Sequence, residues 1–81
     1  MAVKKHFFLK QFGEHLRQIR LKKGITQFDL AVLINKDRQS IQRVENGNIN
    51  PSLFYLYELA EGLDIDLKTL LNFKPQDKRL K

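Results

Sequence analysis

The sequence predicts an all-α protein, a compact bundle of five short helices. Apolar residues recur at spacings of three and four in five successive segments, as they do along one face of a helix. Residues that start or stop helices separate these segments. No segment alternates apolar and polar residues for long enough to form a strand. At 81 residues the chain is expected to fold as one domain with a modest core.

The first predicted helix runs from about residue 10 to residue 23. Gly24 follows two lysines and is the expected helix stop. The apolar stripe consists of Phe8, Phe12, Leu16 and Ile19.

Two short helices and a tight turn follow. Thr26 is a good N-cap for the second helix, and Asp29 three residues on completes a short capping box. Asn35 tolerates the left-handed backbone that a sharp turn needs. Asp37 can cap the third helix, which extends to about Asn46. The inward residues are Leu30, Leu33 and Ile34 in the second helix, and Ile41 and Val44 in the third.

Two more helices complete the predicted bundle. Asn50-Pro51-Ser52 offers a cap for the fourth helix, with proline near its first turn, and Asp66 can cap the fifth, which Pro75 closes. The apolar face of the fourth helix is Leu53, Leu56, Leu59, Ala60 and Leu63, and that of the fifth is Leu67, Leu70 and Leu71.

Positive charge is concentrated at the two ends of the chain. The net charge is +6 for residues 1–23, zero for 24–50, −3 for 51–73 and +3 for 74–81. This distribution predicts a basic N-terminal arm over 1–9, the helical domain over 10–73 and a basic tail over 74–81. A basic surplus favours a polyanion such as DNA or RNA, although solvated lysines explain charge alone equally well.

Several functional classes are disfavoured. The chain has no cysteine, and His6 and His15 lie in no cluster with metal-ligand spacing, so neither a disulfide framework nor a metal site is expected. No apolar run approaches the roughly 20 residues that span a bilayer. The residues form no recognisable catalytic arrangement. We therefore expect a cytoplasmic protein that is not an enzyme, needs no cofactor and makes no membrane contact.

The second and third helices form a predicted helix-turn-helix, apolar inside and polar outside. A helix fits the major groove of DNA, where Arg pairs with guanine and Gln with adenine. A solvated surface helix is the simpler alternative, because Arg and Gln are common on surfaces. The candidate base-reading residues share one face of the third helix: Arg38, Gln39, Gln42 and Arg43.

The chain resembles the lambda-repressor-like (Cro/cI, or XRE) helix-turn-helix family over residues 12–72. The resemblance rests on mutual spacing as much as on residue identity. The matching segments are Phe12 to Gln27, Leu30-Ala31, Ser40-Ile41, Val44 to Gly47, Asn50 to Leu53, Leu59-Ala60, Leu63 and Leu70-Leu71.

The resemblance implies a five-helix bundle with the third helix in the major groove of double-stranded DNA. Arg38, Gln39 and Arg43 stand where the family reads bases. Gln42 stands where many members have a phosphate-binding serine, and its longer side chain leaves base contact open. Arg20 and Glu45 match a structural ion pair between the first and third helices. Phosphate contacts are implied or expected for Thr26, Gln27, Lys36, Asn46, Asn48 and Asn50, of which Asn48 is equally well explained by turn chemistry.

Large residues at positions that are usually exposed depart from the family pattern. We interpret Phe28 as packed beneath the N-terminal segment, where Phe7 and Phe8 need partners. For Phe54 and Tyr57, such packing and a dimer or protein-partner surface are equally favoured.

Three functions remain under consideration. The first is a sequence-specific transcriptional regulator that binds operator DNA, expected to act as a homodimer on a two-fold site. The second is an antitoxin-type interaction module whose exposed aromatic residues and basic tail bind a protein, with DNA binding secondary. The third is nucleic-acid binding without sequence preference.

Overall fold

The computed structural model describes residues 4–75 and contains five helices within them, as predicted. In chain order these are α1 (Lys5–Lys22), α2 (Gln27–Leu33), α3 (Arg38–Glu45), α4 (Leu53–Gly62) and α5 (Leu67–Leu70). The predicted bundle is confirmed, except that α1 is long and α5 is a single turn.

Local capping sets most of the helix starts. Thr26 and Asp29 form the predicted capping box at α2. Asp37 accepts a hydrogen bond from the Ser40 amide at α3, and Ser52 accepts one from the Tyr55 amide at α4. The sequence therefore dictated these three starts through contacts that span three residues.

The start of α1 was predicted wrongly. The helix begins at Lys5 and not near residue 10, so residues 5–9 of the predicted arm are helical. Lys4 occupies the N-cap position without a side-chain cap, which explains why the sequence carried no start signal there. A tertiary contact supplies the support instead: the Phe8 ring lies 5.5 Å from that of Phe73. The rest of the predicted arm, apart from Lys4, and residues 76–81 of the predicted tail lie outside the described residues.

All five helices contribute side chains to the core. Partly buried residues such as Ile34, Leu56 and Phe73 pack against its surface. The largest of the fully buried side chains are Leu16, Leu30, Ile41, Val44, Leu59, Leu63 and Leu70.

Five apolar side chains that the sequence assigned to the interior are exposed. Phe28 is 61% exposed, so its predicted packing beneath the N-terminal segment was wrong. A short helix buries only a stripe roughly 100° wide, and residues at the margin of that stripe stay uncovered unless another element lies over them. The other four are Phe8, Leu33, Leu53 and Leu71.

Candidate nucleic-acid interface

Helix α3 presents a polar face outward and an apolar face inward. Ile41 and Val44 are 0% and 1% exposed and hold the inner side against the core. The outer side chains are all exposed, and we call this set the recognition face: Arg38, Gln39, Gln42 and Arg43. The helix thus displays two cations and two amides side by side to solvent.

A buried ion pair fixes the end of α3 against α1. Arg20 donates from Nε to Glu45 Oε2 at 2.6 Å and from Nη2 to Glu45 Oε1 at 3.0 Å. The same guanidinium donates from Nη1 to the Ile25 carbonyl at 2.8 Å. Both charged residues are only 5% exposed. This fork-shaped pairing is directional, so it orients α3 as well as holding it.

Gln27 joins α2 to the same carboxylate. Its side-chain amide donates to Glu45 Oε1 at 2.9 Å, so Glu45 connects three helices. Thr26, immediately before it, is occupied by the capping box: its hydroxyl accepts from the Asp29 amide at 3.0 Å. The contacts therefore place the start of α2 beside the end of α3.

The turn between α2 and α3 has the predicted left-handed residue. Asn35 has a φ of 58°, which confirms the prediction that it adopts the left-handed backbone of a sharp turn. Lys36 extends toward α4: its Nζ lies 3.4 Å from Glu58 Oε1 and 5.1 Å from the centroid of the Tyr55 ring. The ammonium group proposed for phosphate contact is thus already held by an acidic and an aromatic neighbour.

The loop after α3 exposes its three asparagines. Asn46 is the C-cap of α3, and its wheel position lies between Gln39 and Gln42 on the recognition face. The Asn48 amide donates to the Arg43 carbonyl at 2.9 Å, so the loop is fixed to α3 by its backbone. Asn50 is likewise exposed, beside Pro51.

Two glycines allow α1 to approach α3 closely, and neither approach was anticipated from the sequence. A Cβ at Gly13 would lie 2.3 Å from the Glu45 carbonyl oxygen, and one at Gly47 would lie 2.7 Å from Lys10 Cα. Gly47 also has a φ of 75°, which disfavours side chains independently of space. A glycine inside the amphipathic stretch of the first helix was the available signal for Gly13.

A second contact that the sequence did not reveal joins α3 to α4. The hydroxyl groups of Ser40 and Tyr55 form a short hydrogen bond on the side of α3 that faces the bundle. It complements Glu45, because it fixes the first turn of α3 while Glu45 fixes the last.

Phe54 and Tyr57 lie on the outer side of α4. They are 65% and 47% exposed, and their rings stack with centroids 6.0 Å apart. The structure therefore does not bury them beneath another part of residues 4–75.

The described part of the chain offers little for other kinds of site. None of its helices is both long and apolar enough to cross a membrane. Within residues 4–75, no three His, Asp or Glu side chains are placed where they could hold a metal ion together.

Known proteins share this arrangement. A family model described as Helix-turn-helix matches residues 16–70, which include the end of α1, all of α2, α3 and α4, and α5. The crystal structure of the restriction-modification controller protein C.AhdI from Aeromonas hydrophila is 41% identical, with a TM-score of 0.76; the match covers 79% of this chain and 97% of that one.

Two relatives show how the match varies in extent. Control protein C.MunI of a Mycoplasma species is 35% identical over 63 residues, which is 76% of this chain and 85% of the relative. An HTH-type transcriptional regulatory protein of Pyrococcus furiosus is 36% identical over 64 residues, 79% of this chain. The chain spans only 20% of the length of that relative.

Proposed function

We propose that this chain, which belongs to the XRE-type helix-turn-helix family, is a DNA-binding transcriptional regulator. It reads operator DNA with α3 in the major groove. The recognition face carries the proposal. It sets Arg and Gln side chains, the groups that pair with guanine and adenine, on an exposed helix surface. The controller proteins and regulators similar to this chain agree with that assignment.

In the proposed complex, Arg38, Gln39, Gln42 and Arg43 contact base edges. Their helix does not need to reorganise, because Glu45 and the Ser40–Tyr55 hydrogen bond already fix it at both ends. Preorganisation of this kind reduces the entropic cost of ordering side chains on binding. It supports α3, among the described helices, as the reader of sequence.

Phosphate contacts in this proposal come from the rim of the recognition face. Gln27 is anchored to Glu45 at the start of α2, next to Thr26, and the loop asparagines surround the other end of α3. Such contacts fix the register on the duplex without reading sequence. The proposed set is Thr26, Gln27, Lys36, Asn46, Asn48 and Asn50.

We propose that the regulator acts in the cytoplasm as a homodimer on a two-fold operator. Two helix-turn-helix units bind half-sites about 34–36 Å apart, one turn of B-DNA. The exposed pair of Phe54 and Tyr57 is the proposed protein-contact surface.

A selection from random duplex DNA tests the proposal, and we expect it to enrich a defined motif. The double variant Arg38→Ala, Arg43→Ala should lose preference at the positions that each arginine reads, because one bidentate contact gives about 1–3 kcal/mol of discrimination. Gln27→Ala should instead weaken binding to all duplexes about equally. Unaltered preference in the double variant would place base reading elsewhere.

A charge-matched control separates base reading from simple loss of positive charge. Lys22→Ala, Lys23→Ala also removes two cations, from exposed positions at the end of α1. We expect this variant to lower affinity through weaker general attraction and to enrich the wild-type motif. If the selection enriches no motif with the wild-type chain, the sequence-reading proposal fails.

A further inference from the structure

We propose that Glu58 is an internal competitor of the DNA backbone: it binds the Lys36 ammonium group in the free protein, and a DNA phosphate must displace it. Glu58 thereby lowers the affinity for every duplex without changing which sequence is preferred. The inference rests on the proposed function, because it concerns the phosphate contact proposed there for Lys36.

The backbone of Lys36 is fixed beside the start of α3. Its amide donates to the Ala31 carbonyl at 2.8 Å, which attaches the residue to the last turn of α2. Asp37, the next residue, caps α3 through the Ser40 amide, and Arg38 of the recognition face follows directly. With α3 in the major groove, the Lys36 side chain therefore starts from the edge of the groove, where the phosphates lie.

In the free protein the Lys36 ammonium group is bound to α4 instead. Its Nζ lies 3.4 Å from Glu58 Oε1 and 5.1 Å from the centroid of the Tyr55 ring. Tyr55 and Glu58 are three residues apart on α4, so the ring and the carboxylate project from the same side of the helix. Together they form a binding site for the ammonium group, which phosphate contact requires it to leave.

A phosphate can open this ion pair because the pair is only partly buried. The Lys36 and Glu58 side chains are 35% and 25% exposed, so water reaches both charges and weakens their attraction. The Arg20–Glu45 pair differs, with side chains that are 7% and 2% exposed. Opening that pair leaves buried charges without partners, which is strongly unfavourable. Of these two pairs, only Lys36–Glu58 is suited to exchange its carboxylate for a phosphate.

The exchange has two costs that reduce the observed affinity. The Lys36–Glu58 attraction is lost, and the Glu58 carboxylate is left without a counter-ion near a polyanion. Within residues 4–75, Lys36 provides the only cationic group within 4.0 Å of this carboxylate. Because phosphate contacts carry no sequence information, both costs are the same for all duplexes.

Titration of the full chain with a duplex of random sequence tests the competition. Glu58→Gln should bind about three to five times more tightly than the wild type, which is the upper part of the range for a partly exposed ion pair. Glu61→Gln is the matched control, because it removes the same charge from an exposed position three residues further along α4. Its gain should stay below about twofold, since salt screens distant charges.

A second background shows whether the gain passes through Lys36. Lys36→Met keeps a long unbranched side chain and removes the ammonium group. In that background, Glu58→Gln should increase affinity no more than Glu61→Gln does. Equal gains from Glu58→Gln and Glu61→Gln in the wild-type background overturn the proposal, as does a Glu58→Gln gain that persists undiminished after Lys36→Met. Circular dichroism of each variant verifies wild-type helicity.

The salt dependence of binding tests whether the released ammonium group reaches a phosphate. One phosphate contact adds about 0.9 to the slope of the logarithm of the binding constant against the logarithm of salt concentration. The slope for Glu58→Gln should therefore be steeper by about 0.9 than that for the double variant Lys36→Met, Glu58→Gln. Equal slopes would mean that Lys36 makes no phosphate contact, which contradicts the proposal.

Failure of this inference and failure of the proposed function give different results. If only the competition is wrong, the wild-type chain still selects a DNA motif, while Glu58→Gln and Glu61→Gln increase affinity equally. If only base reading is wrong, no motif is selected, while Glu58→Gln still binds random duplex more tightly and Lys36→Met abolishes that gain. A chain that binds no duplex overturns both.

Discussion

Helices α3 and α4 are neighbours with opposite kinds of exposed surface. The outer side of α3 carries arginines and glutamines, whereas that of α4 carries Phe54 and Tyr57. Their inner sides also differ. Both bury aliphatic side chains, but α3 is additionally fixed by Glu45, a buried carboxylate with hydrogen bonds to two other helices.

The difference reflects what each surface needs. Apolar packing holds a helix in place but is non-directional, so it permits small rotations. Hydrogen bonds from Glu45 restrict rotation, which matters for a helix whose side chains must meet base edges. Covering an apolar outer face such as that of α4 is favourable. Because the hydrophobic effect is non-directional, the helix that carries this face does not need to be held in an exact orientation.

The first and largest predicted effect concerns the polar anchor of α3. Glu45→Gln removes the negative charge facing Arg20 and leaves a guanidinium that is 5% exposed without its counter-ion. The free energy of unfolding should fall by about 3 kcal/mol. For a domain of this size, the melting temperature should then fall by about 12–24 °C. Differential scanning calorimetry measures the change.

Glu14→Gln is the matched control, since the Glu14–Arg17 pair is exposed and 3.7 Å apart. It should change the free energy of unfolding by less than about 1 kcal/mol. DNA sequence preference should be measured below the melting temperature of the Glu45→Gln variant. Expressed as free energies, the change in sequence preference should be smaller than the change in stability. An unchanged melting temperature would mean that the buried pair does not anchor α3.

The second effect concerns the close approach of α1 to α3. Gly13→Ala gains up to about 1 kcal/mol of helix propensity but places a methyl group against the Glu45 backbone. The clash should dominate, with a net loss of about 1–3 kcal/mol in the free energy of unfolding and weaker DNA binding as α3 shifts. Urea denaturation and DNA titration measure the two changes.

Gln18→Ala serves as the control within the same helix, because Gln18 is exposed and bonds only to Glu14 among the described side chains. It should alter neither stability nor DNA affinity by more than about 0.5 kcal/mol. A Gly13→Ala variant that is more stable than the wild type would show that the two helices separate at no cost.

The smallest effect concerns the hydroxyl pair that joins α3 to α4. Ser40→Ala or Tyr55→Phe should each lower the free energy of unfolding by about 1 kcal/mol, because each leaves one part-buried hydroxyl without its partner. The double variant should lose no more than either single variant, since no unpaired group remains. Strictly additive losses in denaturant titrations would mean that the two hydroxyls act independently.

Much of the fold was predictable because its signals are local. Thr26, Asp37 and Ser52 cap their helices through contacts that span three residues, so the sequence near each one suffices. Asn35 similarly predicted the turn, since few residues other than glycine readily adopt the left-handed backbone conformation. The exposed side of α3 followed from the spacing of Ile41 and Val44.

Helical periodicity and capping act over a few residues, so the helices, their order and the polar surface of α3 could be predicted from the amino acids alone. The start of α1 at Lys5, the contact of Lys36 with Glu58 and the exposure of Phe28 became apparent only in the folded chain. Each of these depends on which distant element lies alongside. Burial is a property of such neighbours, and an apolar side chain does not specify what will cover it.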